Sequence, residues 1–161
     1  ADALRLMAIG ALVGYDVKPA TREIVDAIQS DELAAVAIEA ASRLPGKEVQ
    51  VALGEATINV ARPAPIRKLA ADELVRNIQR FGPTSITDAQ IGTMIKLLDD
   101  EKNADVRGSV GVVLGALPRE RVARNFMDPK ALEAYQNRLL NYQPVPAAPV
   151  APPAPVKPEG T

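Results

Sequence analysis

One spacing constrains this chain more than any other: a helix-face pattern with offsets 0, 4, 7, 8 and 11 recurs four times. The copies are Leu4, Ala8, Ala11, Leu12 and Tyr15; Leu33, Ala37, Ala40, Ala41 and Leu44; Ile66, Ala70, Glu73, Leu74 and Asn77; and Val106, Val110, Val113, Leu114 and Leu117. Of these 20 positions 18 are apolar in a chain that is 47% apolar, where chance supplies about 9. The start points are 29, 33 and 40 residues apart. Self-similarity at that period points to stacked units rather than one unique core, and each interval leaves room for one further helix.

The intervening segments carry stripes of their own: Ile24, Ala27 and Ile28; Val49, Leu53, Ala56 and Val60; Ile91, Ile95 and Leu98. None shows the sustained alternation of a strand. Punctuation agrees, because a proline inside a helix costs about 3 kcal/mol, and Pro19, Pro45, Pro63, Pro65, Pro83, Pro118 and Pro129 all fall at the proposed junctions. Thr87 with Gln90 reads as a capping box, Asp128 before Pro129 as an N-cap with a first-turn proline, and Pro45-Gly46 as a helix stop. Gly10, Gly54, Gly111 and Gly115 are expected at close helix approaches, where packing offsets their poor helix propensity.

Cysteine and histidine are both absent. That removes thiolate nucleophiles, imidazole bases, Cys/His zinc sites and haem ligation by either residue. Neither GxGxxG nor GxxxxGK[ST] occurs, so catalytic, cofactor and metal residues are all expected to be none. Lys+Arg 19 against Asp+Glu 20 leaves no basic surplus for nucleic acid or anionic lipid. The longest apolar run, LMAIGALVG, falls well short of the roughly 18 residues of a membrane span, so no membrane insertion is expected. The first residues, ADALRL, lack Met, as after Met removal, after signal cleavage or inside a longer chain. Cytoplasm and bacterial periplasm both suit a chain without cysteine.

The motifs NADVRGSVGVVLGAL, APIRKLAADELV and DALRLMAIGALVG resemble HEAT-like repeats of the short bacterial type found in phycobilisome lyase-related proteins. The family's inner helix reads Val-Arg, then Ala, then Ala-Leu-Gly. A fourth copy, DELAAVAIEAASRL, has Ala34 where the arginine belongs. The resemblance implies an all-α, right-handed α-solenoid of antiparallel helix pairs over residues 1–118, with inner helices near 3–15, 31–44, 63–80 and 103–117. It implies that Arg5, Arg67 and Arg107 tie neighbouring layers together; the alternative is that they are solvated arginines flanking a core stripe, worth little. It also implies a protein-binding scaffold that holds other protein subunits. Family members that are hydroxylases need His-Glu iron ligands, and those that repair alkylated DNA use a basic, aromatic groove; this chain has neither set of residues.

Residues 119–142 break the repeat, and Leu132, Tyr135 and Leu139 suit C-terminal capping helices over the last layer. Residues 143–161 carry seven prolines and are expected to form an extended Pro-rich tail. That tail is a spacer or, through Pro152, Pro155 and Lys157, a docking segment. The first helix is half a layer, so Leu6, Ile9 and Val13 are expected to be covered by upstream sequence or a second chain. The function expected is a non-catalytic protein–protein interaction scaffold or structural subunit. Its rival is a lyase-like or isomerase-like enzyme using carboxylates such as Asp99, Asp100 and Glu101, whose other reading is a solvated helix end.

Overall fold

The computed structural model describes residues 21–83 and 85–125, together with Glu133 and Asn137. The sequence expectations for Arg5, Leu6, Ile9, Val13, Gly10, Leu132, Tyr135, Leu139, Pro152, Pro155 and Lys157 lie outside these residues. The chain divides into two units, residues 1–127 and 128–161, and every helix named here belongs to the first.

The described residues are all-helical: α1 (Thr21–Ile28), α2 (Ala34–Ala41), α3 (Lys47–Ile58), α4 (Ala64–Phe81), α5 (Asp88–Asp100), α6 (Ala104–Ala116) and α7 (Arg119–Asn125), with no strand among them. Local chemistry sets the ends. Thr87 Oγ1 accepts from Gln90 N (3.2 Å) and Gln90 Oε1 accepts from Thr87 N (3.0 Å), a complete capping box that starts α5. Asn103 Oδ1 accepts from the amides of Asp105 and Val106, both at 3.1 Å, and starts α6. Gly46 before α3 (φ 137°) and Gly82 after α4 (φ 84°) hold backbone conformations that side-chain-bearing residues resist.

Within each pair, connections of three to five residues make the two helices antiparallel neighbours. α1 packs on α2, α3 on α4 and α5 on α6. Across pairs, α2 packs on α4 and α4 on α6, while α1 packs on α3, α3 on α5 and α5 on α7. The polar contacts between pairs fall in a band of spacings: Ala41 with Asn77, Gln50 with Ser85, Asp72 with Ser109 and Ile86 with Arg121 are 36, 35, 37 and 35 residues apart, while Leu44 with Asn77 and Asp88 with Arg121 are 33 apart and Val51 with Gln90 is 39. Between α5 and α7 the numbers rise together from Asp88 with Arg121 to Gly92 with Asn125, so these two like helices run parallel.

The core follows the stripes. Every stripe residue from Leu33 to Leu44 and from Val106 to Leu117 is buried, as are Ala70, Glu73, Leu74 and Asn77; Ile66, in the first turn of α4, is half-buried. Glu73 and Asn77 are thus buried at positions where the pattern asks for an apolar residue. Three expectations need correction. Val60 is 71% exposed because α3 ends at Ile58 and the chain has already turned away. In α5 the buried set is Gln90, Ile91, Met94 and Leu97, with Ile95 and Leu98 half-buried, because α3, α6 and α7 surround this helix and cover more than one stripe.

The third correction concerns glycine. A Cβ on Gly115 or Gly108 would meet nothing within 4 Å, and one on Gly111 would make an ordinary 3.8 Å contact with Leu98. Only Gly54 of the described set marks a close approach, since its Cβ would stand 2.9 Å from Gln90 Nε2. That amide is fixed: it donates to Val51 O at 2.9 Å while its oxygen serves the α5 cap. Opposite signs are therefore expected. Gly108→Ala and Gly115→Ala should each stabilise by about 0.5–1 kcal/mol through helix propensity. Gly54→Ala should destabilise by about 1 kcal/mol, because lost hydrogen bonds of Gln90 outweigh the same gain. Urea unfolding of the three variants reads the contrast, and a stabilising Gly54→Ala would refute it.

Candidate functional site

Two arrangements of charge stand out from the helical frame. The first is a junction at Arg67, the residue that follows the first position of its stripe, Ile66. Its position in the first turn of α4 places the guanidinium beside the last turn of α3, where helix carbonyls lack intrahelical partners. Nε donates to Thr57 O at 3.2 Å, and Nη1 pairs with Glu101 Oε2 at 2.6 Å. Glu101 is the C-cap of α5, so one cation serves the C-terminal ends of two helices, the ends that favour positive charge. Both side chains are largely withdrawn from water, at 5% and 10% exposure. Nη2 is buried without a hydrogen-bond partner.

Glu101 binds in two further ways. Its Oε1 accepts from Asn103 N at 2.8 Å, and its backbone carbonyl accepts from Arg107 Nη1 at 2.8 Å. The Asn103 amide first, and then the Arg67 guanidinium, hold the Glu101 carboxyl below its ordinary value against the opposing effect of burial. Arg107 is exposed and reaches the end of its own pair's helix; unlike Arg67, it makes no contact with a second pair among the described residues. Ala34, the position without an arginine, is buried. Asp99 and Asp100 are exposed, as a solvated helix end requires, but Glu101 belongs to the junction instead.

The second arrangement is a recess of about 400 Å³ between α2 and α4, lined by Glu39, Ser42, Arg43, Glu73, Arg76 and Arg80. Its floor is polar and buried: Glu73 is 4% exposed and Ser42 6%. Arg76, one turn on, donates to Glu73 Oε1, and Ser42 Oγ donates to Glu39 O at 2.9 Å. Arg43, Arg76 and Arg80 are exposed at the rim, with the Arg80 guanidinium 6.0 Å from the centre of the Phe81 ring, the outer limit of a cation–π contact.

Sequence reasoning did not find the recess, because its residues form no motif and come from segments about 35 residues apart. One signal was present. Glu73 is a carboxylate at a core position of the third stripe, and a buried carboxylate demands partners. Beneath the recess, Asn77 does the corresponding work for the backbone. Its Nδ2 donates to the carbonyls of Leu44 (2.9 Å), Ser42 (3.2 Å) and Ala41 (3.3 Å) at the end of α2, and its Oδ1 accepts from Gln50 Nε2 at 3.1 Å. Gln50 also donates to Gly82 O at 2.7 Å and accepts from Ser85 N at 3.0 Å. The network fixes the two helix ends that carry Arg43 and Arg80.

Among the described residues no helix is long and apolar enough to cross a membrane. No protein-family model, curated protein or solved structure matches the chain.

Proposed function

We propose that this chain is a non-catalytic protein-interaction scaffold, built as a right-handed α-solenoid of HEAT-like helix pairs. The observation that carries the reading is the recurring register between pairs: each helix packs on its counterpart in the next pair, with polar contacts 33 to 39 residues apart. Units that repeat in sequence and stack on their neighbours build an extended surface rather than a closed pocket, and such surfaces hold other proteins. In this reading α2, α4 and α6 form the inner row, and Arg67 acts as the rung between successive layers. The recess then lies on the inner face, where a partner would dock.

Affinity capture with the full chain, followed by rebinding of the purified captured protein, tests both halves of the reading. A saturable complex of fixed stoichiometry, with the partner's mass unchanged on release, is the expected result. A captured molecule that leaves chemically altered would make the chain an enzyme and overturn the scaffold. Small-angle scattering supplies the architectural check, in which the profile of a compact globule would contradict a solenoid.

A further inference from the structure

We propose that the recess between α2 and α4 binds carboxylate side chains of an acidic segment of a partner protein, with Arg43 and Arg80 as the donors. The proposal rests on the scaffold reading and names the chemistry of its partner. Of the charged groups lining the recess, Glu73 is engaged by Arg76. The side chains of Arg43, Arg80 and Glu39 make no hydrogen bond or ion pair among the described residues. Setting Glu73 against Arg76, and Glu39 against one of the remaining arginines, leaves one positive charge uncompensated. An anionic group is therefore the ligand that this lining favours.

Geometry narrows the class. Two guanidiniums, Arg43 just past the end of α2 and Arg80 in the last turn of α4, present planar forks, which match a carboxylate with paired N–H donors. A cation meets the opposite situation, since Arg43, Arg76 and Arg80 surround the approach to the Glu73 carboxylate. Four of the six lining residues are exposed, which suits one pocket in a long protein contact better than a closed small-molecule site. Arg80 stands in the last turn of α4 and Arg43 one residue past the C-cap of α2, where a cation stabilises the fold without any ligand. The test must accordingly read binding and not stability.

Fluorescence anisotropy of a fluorescein-labelled hexaglutamate peptide against the full chain provides that reading. Saturable binding in about 50 mM NaCl, weakened in about 300 mM, is expected, with no binding of labelled hexalysine. Arg43→Gln/Arg80→Gln should lose at least about tenfold in affinity with its circular dichroism unchanged. Lys96→Gln/Arg119→Gln removes two charges from exposed sites elsewhere and should stay within about twofold. Absence of saturable hexaglutamate binding, equal affinity of the Arg43/Arg80 variant, or an equal loss in the control pair would each overturn the recess. The scaffold reading fails separately: a captured partner that binds the Arg43/Arg80 variant as tightly as the unaltered chain leaves the scaffold standing and removes only the recess.

Discussion

Asn77→Leu is expected to lower the free energy of unfolding by about 3 kcal/mol, and Asn77→Asp by more. The side chain is fully buried, and leucine keeps its branching but is bulkier, so overpacking adds to the loss of hydrogen bonds. What is lost is the amide that donates to Ala41 O, Ser42 O and Leu44 O. Ala41 O retains the Leu44 amide at 3.0 Å, but the carbonyls of Ser42 and Leu44 lose their donor in a site that leucine closes to water. Gln50 keeps Gly82 O and Ser85 N and loses one acceptor. Aspartate is worse because it turns a carboxylate oxygen toward a group of carbonyl oxygens. It should also invert the response to acid: the new carboxyl has its pKa raised in the folded state, so lowering the pH protonates it and restores stability. Urea unfolding at two pH values measures both effects. Losses below about 1 kcal/mol for Asn77→Leu would show that the network contributes no more than an ordinary single hydrogen bond.

The contrast between Asn77 and its stripe neighbours shows how far the sequence could be read. Helix positions were legible because periodicity, prolines and caps are local, and α5 starts at the Thr87–Gln90 box that the sequence contains. The two polar breaks in the third stripe were legible as anomalies but not as a network: Glu73 pairs locally with Arg76, whereas the partners of Asn77 lie at the end of α2 and on α3. Such pairings depend on layer register, which is a property of packing. The glycines misled for a related reason: a small residue signals close approach only where a neighbour is present. Gly54 faces Gln90, whereas Gly115 faces open space and Gly111 meets Leu98 only at ordinary contact distance. Val60 likewise continued a pattern one step past the end of its helix.

Arg67 presents the same limit at the opposite end of α4. The Val-Arg resemblance singled out the residue, while nothing local named Glu101, which lies one repeat further along and looks like the last of three solvated acids. With the pair assigned, the outcome of breaking it can be stated. Arg67→Ala should destabilise by about 3 kcal/mol, since it leaves a largely buried carboxylate with only the backbone amides of Lys102 and Asn103 and strips Thr57 O of its donor. The paired change Arg67→Met/Glu101→Gln should cost less than Arg67→Ala alone: it removes both charges, keeps an oxygen for Asn103 N and eliminates the unpartnered Nη2. The depressed Glu101 carboxyl sets the sign of the pH effect. Its contribution is complete above the unfolded value near 4.5 and is lost as the pH falls through the lower folded value. Below about pH 4.5 the unaltered chain should therefore lose stability faster than the paired variant. A double-mutant cycle on Arg67 and Glu101, run near neutral pH and again in acid, measures the coupling. A coupling that failed to shrink in acid would mean that the contact is held by packing of the arginine stem rather than by charge, and the rung between layers would then be a hydrophobic one.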